Sequence, residues 1–489
     1  MSTSLVLAWR EDVTAAADGD GPFVVQGPGG RVSLRGVSAG LLDVFRRLHP
    51  PGEDEDRVAE RFRGVGDNAL SQWYYYRECL IRRGLLSYSA HANGTRVASL
   101  VAVSPNFLLR PARIVPNQRY VLSRFAYLRR EGDTAVLESP LAHARVILSA
   151  CWTASLVCAL ATPATAEVLA TRLGSVPLGD VEAVLTLLLR AGMLGELSAG
   201  DINTEDQDPA LQTWAFHDLV FHARSRAGRF DAPQGSTYRF GGKLPPPPAL
   251  KSAPAAGETR KLYRPDLAQL QRDDLPLAWV LEQRCSVREY DADCPISDRQ
   301  LGDFLFRVAR IKDSHQSEVA TPDGPIPMDF TARPYPAGGG LYEMELYVVV
   351  NLCSNLEPGL YYYDPAGHRL TRLQGRTPEV ESLIRDASMS TTVPEANLQV
   401  LLILAARFPR LAWKYESIAY ALILKHVGVI FQTMYLAATA MGLGPCAVGG
   451  GDADLFARAA GTDYFAETSV GEFLLGSKRP RPVSRGASI

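Results

Sequence analysis

The sequence predicts an α+β chain in which two small winged-helix-like modules precede a larger C-terminal domain. Three observations carry this. A helix that ends in arginine, glycine and two apolar residues occurs twice, as LIRRGLL at 80–86 and LLRAGML at 188–194. Four successive prolines at 245–248 divide the chain. Beyond them, short apolar runs alternate with glycine-rich loops and one long apolar helix, expected over 417–443. Arginine followed by glycine suits a helix C-cap that releases the chain into a wing strand, and its recurrence marks a repeated unit.

The expected order of elements follows from periodicity. In the first module, 4–10 and 23–35 read as paired strands turning at Gly27, Gly29 and Gly30, with helices at 39–48, 57–63 and 70–83. The second has strands at 120–129 and 134–138 and helices at 150–161, 165–173 and 178–190. Boundaries are set at 1–110 for the first module, 111–227 for the second with a bridging helix, 228–262 for a stiff proline-rich linker, and 263–489 for the C-terminal domain.

Composition excludes several classes. With 489 residues and 46% hydrophobic content, the chain exceeds one ordinary core. A formal charge of −2 gives no electrostatic case for nucleic acid. The presumed recognition helices agree: 178–189 carries Asp180 and Glu182, and Arg77 and Glu78 cancel in 73–79. A winged module can instead accept a peptide as an added strand. Seven scattered cysteines show neither a CxxC pair nor metal-ligand spacing, so they read as reduced cytosolic thiols. No secretory signal opens the chain, and Lys425, His426 and Gln432 interrupt its most apolar stretch, so a soluble cytoplasmic protein without a membrane span is expected. His217, Asp218 and His222 invite a metal or triad reading, but five-residue spacing does not align the histidines on one helix face, and a packing helix is preferred.

The C-terminal domain holds the chemistry-bearing motifs. Arg284, Ser286 and Arg288 place charge-assisted donors around an anion. Pro336, Ala337, Gly338 and Gly339 open a glycine loop that lets backbone approach a planar or phosphorylated ligand. Residues 398–406 (LQVLLILAA) read as a buried strand. Lys414 and Tyr415 follow at the expected start of the long helix, where the positive end of the dipole disfavours a lysine cation and suits it to proton transfer. That helix shows an apolar stripe of Ile418, Leu422, Ile430, Met434, Ala438 and Met441, widened by Phe431, Tyr435 and Leu436 so as to bury two sides. Gly449 and Gly450 follow Cys446, a packed thiol, and Lys478 and Arg479 lie near the end.

Taken together, RCSVREY (284–290), RPYPAGGGLYEMELYVV (333–349), PGLYYYD (358–364), the run from WKYES (413–417) through MGLGPC (441–446), and SVGEFLLGS (469–477) resemble the nitroreductase superfamily. Within it they look most like the SagB-type azoline dehydrogenases, which include the thiazoline oxidases of ribosomal peptide pathways. The resemblance covers about 276–477, and the two modules are similar to the winged-helix precursor-recognition elements found ahead of this domain. It implies a central mixed or antiparallel sheet flanked by helices, a long central helix at a homodimer interface, and FMN as cofactor.

By the same resemblance, Arg284, Ser286 and Arg288 hold the flavin phosphate, ribityl chain and ring edge. Pro336, Ala337, Gly338 and Gly339 match a P-S-G-G loop, with Ala337 in place of serine and one hydrogen bond therefore lost or supplied elsewhere. Gly449 and Gly450 approach the ring, Lys478 and Arg479 add phosphate cations, and Lys414 and Tyr415 match the pair on which family activity depends. The implied reaction oxidises thiazoline or oxazoline rings of a modified peptide to thiazole or oxazole, with oxygen reoxidising the flavin. The implied partners are an azoline-bearing precursor peptide and a cyclodehydratase. An NAD(P)H-dependent nitro or quinone reductase, or a non-catalytic docking partner of a cyclodehydratase, are the competing readings.

Overall fold

A computed structural model describes residues 5–17, 22–27, 30–62, 67–198, 202–254 and 257–479, which fall into two units, 1–232 and 233–489. The first unit opens with Val6–Trp9 (β1), Thr14–Ala17 (β2), Phe23–Gly27 (β3), Gly30–Leu34 (β4), Ala39–Arg47 (α1), Glu53–Asp54 (β5), Glu55–Glu60 (α2) and Asp67–Arg82 (α3). Leu86–Ala92 (β6) and Thr95–Ala102 (β7) follow, then Tyr120–Leu122 (β8), Tyr127–Glu131 (β9), Thr134–Glu138 (β10) and Ala144–Leu148 (β11). Cys151–Ala159 (α4), Ala166–Leu173 (α5), Leu178–Arg190 (α6), Leu194–Ser198 (β12), Ile202–Asn203 (β13), Thr204–Gln207 (α7), Pro209–Gln212 (α8) and Phe216–Arg224 (α9) complete it.

Both expected helix trios form, and α3 and α6 end alike. Gly84 (φ 64°) donates its amide to Ile81 O and Leu85 donates to Leu80 O; Gly192 (φ 74°) donates to Leu189 O and Met193 to Leu188 O. Each is a Schellman closure that requires a left-handed residue, and each releases the chain into a strand, β6 or β12. Strand pairing departs from expectation. β1 pairs with β5 and β6, whereas β2, β3 and β4 form their own sheet. The expected 120–129 strand splits, β8 pairing with β12 and β9 with β10. An unexpected hairpin, β6–β7, turns at Asn93 (φ 50°) and Gly94 (φ 76°), the positive angles that match strand twist. The antiparallel order β5-β1-β6-β7-β11-β10-β9 thereby runs through both copies as one sheet. Of the expected elements, Gly29 and Arg63 lie outside the described residues, as do Ala255 and Ala256.

Glu55 ties the copies together. Its carboxylate accepts from Arg77 on α3, Tyr88 on β6 and Arg190 on α6 at 3.1, 2.8 and 2.8 Å. Helix α9 packs through Leu219 and Ala223, and its Arg224 donates to Tyr127 Oη and pairs with Glu138, whereas His217, Asp218 and His222 lie exposed, the His222 ring 5.5 Å from that of Trp214. No group of metal-ligating side chains occurs among the described residues.

The second unit comprises Gly235–Ser236 (β14), Thr259–Lys261 (β15), Leu267–Asp273 (α10), Leu277–Gln283 (α11), Asp298–Ala309 (α12), the hairpin Asp313–Thr321 (β16) and Gly324–Ala332 (β17), Met344–Val350 (β18), Gly359–Asp364 (β19) and Arg369–Gln374 (β20). Pro378–Thr391 (α13), Val400–Arg407 (β21), Phe408–Ala412 (α14), Tyr415–Glu416 (β22), Ala419–Ala440 (α15), Leu443–Val448 (β23), Ala453–Ala460 (α16) and Glu467–Ser477 (β24) follow. Its sheet, β15-β20-β19-β18-β21-β24-β23, is antiparallel at every pairing. β18 and β21 are wholly buried, as continuous apolar runs between two covered faces must be.

Helix α15 packs on this sheet through Ile423, Val427, Ile430, Met434 and Ala438. Of the expected stripe, Ile418, Leu422 and Met441 are only half-buried, and the second side is only partly covered, with Leu424 40% exposed and Tyr420 48% exposed beside Phe408. By length and composition alone, α15 is the one helix among the described residues apolar enough to cross a membrane.

The segment expected as a linker is instead woven into the second unit. β14 pairs with β22 and β15 with β20. The proline run lacks donors but keeps its carbonyls: Arg410 Nη1 donates to Pro247 O at 2.5 Å, and Arg407 donates to Pro248 O and Ala249 O.

Candidate functional site

Apart from Gly449 and Gly450, the expected site residues fall into two clusters. The first gathers Arg284, Ser286, Arg288, Lys478 and Arg479. Residues 284–290 run beside the ends of β23 and β24: Val287 donates to Pro445 O, Tyr290 bridges Lys478, and Arg479 donates to Glu289 O. Ser286 Oγ lies 2.8 Å from Tyr435 Oη, which also accepts the Ala447 amide, and the Arg284 guanidinium sits 5.4 Å over the Tyr435 ring. A cavity of about 750 Å³ opens here, lined by Ser286, Arg288, Lys478 and Arg479 together with Trp279 and Thr439. Among the described residues none of Arg284, Arg288, Lys478 and Arg479 is engaged in an ion pair. Cys446, nearby, is the packed thiol expected: it is fully buried, and burial pushes its thiol up.

The second cluster gathers the glycine loop and the Lys-Tyr pair. Gly339 (φ 60°) passes so near the pair that a Cβ there would lie 2.5 Å from Lys414 Nζ and 2.7 Å from Tyr415 Oη. Only glycine suits both that angle and that space. Lys414 and Tyr415 do not start the long helix. They follow the C-terminal end of α14, four residues or more ahead of α15, so the dipole argument made from sequence does not apply. Instead the 233–248 segment places them. Ser236 pairs with Tyr415, Tyr238 donates its amide to Lys414 O, Thr237 Oγ1 donates to Glu416, and Trp413 Nε1 donates to Leu244 O. The Tyr238 and Tyr415 rings lie 5.5 and 5.4 Å from Lys414 Nζ.

Sequence reasoning missed two residues here. Gly338 donates its amide to His426 Nε2 at 2.7 Å, and His426 Nδ1 lies 2.6 Å from Glu343 Oε1. An acceptor at Nε2 leaves the proton on Nδ1, facing the carboxylate. A histidine inside an otherwise apolar helix was the available signal, since a buried polar group needs a partner. Pro336 and Ala337 lead into this turn, and Gly340 donates to Ala337 O. Gly449 and Gly450 lie exposed beyond β23, joined to neither cluster by a hydrogen bond among the described residues. The next glycine, Gly451, abuts the Glu472 carboxyl, whose pKa burial raises. Beyond Arg479, Pro480 and Arg481 lie outside the described residues.

The clusters are separated by α15. Tyr435 lies nine residues after His426, about 14 Å along the axis and half a turn round it, so the two side chains leave opposite faces.

Comparison with known proteins gives the domains their family. Residues 1–110 match the ThcOx helix-turn-helix domain, 120–231 match the cyanobactin oxidase ThcOx, and 281–476 match the nitroreductase family. A Methanocaldococcus jannaschii protein named as a nitroreductase is 28% identical over 193 residues, 40% of this chain and 85% of its own. Among solved structures, a chain named as a nitroreductase from Ralstonia eutropha is 20% identical, covering 51% of this chain and all (100%) of that one, with TM-score 0.35. A chain of the E. coli microcin synthetase McbBCD complex with truncated pro-MccB17 bound is 18% identical over 58% of this chain and 100% of its own, also at TM-score 0.35. These structural likenesses are too weak to bear on chemistry. The chain thus carries a nitroreductase-family domain at 281–476, with two segments that match ThcOx-type domains ahead of it.

Proposed function

We propose that this chain is an FMN-dependent dehydrogenase that oxidises thiazoline or oxazoline rings of a modified ribosomal peptide to thiazole or oxazole. The observation that carries the reading is the approach of Gly339 backbone to Lys414 Nζ and Tyr415 Oη, an amine and a phenol sharing one side-chain-free face. The residues present fit the cofactor. Cations at Arg288, Lys478 and Arg479, unpaired among the described residues, line with the Ser286 hydroxyl a cavity suited to a phosphate and ribityl chain. When bound, FMN supplies a two-electron acceptor for hydride, which oxygen regenerates. The protein's part is the proton. The azoline Cα–H is acidified by the adjacent C=N and carbonyl, and Lys414 and Tyr415 act as a coupled base that removes it. Tyr238 and the 233–248 segment hold the pair in place.

The separation of the clusters supports a homodimer. A second copy brings its glycine loop and Lys-Tyr pair to the phosphate cluster of the first, a reading favoured by the exposed apolar side chains Leu424 of α15 and Leu277, Trp279 and Leu281 of α11. We assign the first unit to docking the precursor peptide as an added strand. Helix α6 buries Val181, Val184, Leu185 and Leu188 in the unit's core, which leaves it little face for a DNA groove. A cyclodehydratase partner and a cytoplasmic location complete the proposal.

The test is substitution. Lys414→Ala and Tyr415→Phe should each retain yellow flavin and lose turnover of an azoline peptide; full activity with retained colour in either variant would overturn the reading.

A further inference from the structure

We infer that Glu343 and His426 form a positioning dyad that sets the glycine loop against the Lys-Tyr pair. Glu343 is wholly buried and His426 is 6% exposed, yet neither touches the first cluster. The carboxylate fixes the ring through Nδ1–H, and the ring lone pair at Nε2 takes the Gly338 amide. The next residue, Gly339, is the one that meets Lys414 and Tyr415. The chain after the turn is clamped as well: Arg410 Nε donates to Leu341 O, and the Arg407 amide donates to Glu343 O. These clamps hold the segment after the turn, and apart from the local bond from the Leu341 amide to Gly338 O, the bond that fixes Gly338 is the one its amide makes to the dyad. Among the described residues Glu343 Oε2 has no hydrogen-bond partner, and it is shut off from solvent, an arrangement costly enough to call for a return beyond packing. The return is orientation. A backbone amide fixed by an oriented imidazole keeps the left-handed Gly339 from swinging away from the ammonium and phenol.

The inference rests on the dehydrogenase reading only for its kinetic arm. Three full-length variants test it: His426→Ala, His426→Gln and Glu343→Gln. The cofactor-free proteins are compared first by hydrogen–deuterium exchange across residues 336–343. His426→Ala should lose protection of the Gly338 amide. His426→Gln, whose side-chain oxygen can accept the same bond, should regain it. In the flavin-loaded proteins, kcat per bound FMN on an azoline peptide should fall on the order of tenfold to a hundredfold in His426→Ala, the scale of a misplaced catalytic group, with KM little changed and most of the loss recovered in His426→Gln. Glu343→Gln keeps an acceptor but removes the charge, and should show intermediate protection. A purely structural pair would lower folded yield without altering kcat per folded, flavin-bound molecule. Unchanged exchange at 336–343 in His426→Ala would overturn the inference. So would kcat within twofold of the parent, or failure of Gln to rescue where Ala folds. If His426→Ala does not fold, Glu343→Gln against His426→Gln decides by the same readouts. Should the parent itself fail to oxidise azolines, the exchange arm still decides the dyad, so the two failures are distinguishable.

Discussion

Arg410 and Pro247 are joined by a hydrogen bond of 2.5 Å from guanidinium Nη1 to carbonyl oxygen, and this bond turns a proline run into part of the site. The same side chain, 1% exposed, donates to Leu341 O and Asp329 O, so one arginine ties the 233–248 segment, the glycine loop and the β16–β17 hairpin together. Burial, with Arg407 beside it, pushes its pKa down to about 10, so it remains a cation at neutral pH. Arg410→Ala empties a buried site and strips three carbonyls of their donor, that of Leu341 buried, and should cost about 3 kcal/mol of stability, read as a lower denaturation midpoint in urea.

Gly339→Ala tests the close approach itself. An added methyl group meets Lys414 Nζ and Tyr415 Oη, and the φ of 60° adds strain of about 1 kcal/mol. Turnover should fall on the order of a hundredfold while thermal stability drops only slightly. Parent-like kcat would show that the loop and the pair do not act together.

The proposed homodimer makes a complementation prediction. Lys414→Ala disables the second cluster and Arg288→Ala the first, so each homodimer is inactive. Co-refolded in equal amounts, half the dimers are mixed and each carries one intact site, restoring about a quarter of parental activity. Recovery near zero would place both clusters in one protomer's site.

Much of this was legible in the chain. The duplicated Arg-Gly helix endings, the buried run now seen as β21, and the motifs of both clusters were readable because each depends on neighbours in sequence. The Asn93-Gly94 turn was equally local, and its hairpin was missed although the dipeptide signals it. The role of 233–248 and the Glu343–His426–Gly338 chain were not legible. Each is a contact across many tens of residues, made by carbonyls and a histidine whose partners only the fold supplies.

The first unit carries a pH signature. Burial alone would raise the Glu138 carboxyl, but the hydrogen bond from Arg129 and the charge of Arg224 outweigh it and leave the pKa below its ordinary 4.5. A carboxylate lowered in the folded state stabilises at pH above its unfolded value, and that contribution drains away as pH falls through the folded one. Urea midpoints should therefore decline below about pH 4.5, and Glu138→Gln should flatten that decline while lowering stability at pH 7. An identical acid limb in the variant would rule out the assignment.

The reductase alternative is separated by stopped-flow mixing. Rapid bleaching of bound flavin by NADPH would favour it; slow or absent bleaching fits a dehydrogenase that takes its hydride from the azoline.

The most direct measurement weighs the product. Purified, flavin-loaded protein is incubated in air with a cyclised azoline peptide, and the peptide mass is followed. The account predicts a loss of about 2 Da per ring, the two hydrogens removed by proton abstraction and hydride transfer. An unchanged mass from yellow, folded enzyme supplied with its azoline peptide and oxygen would contradict it.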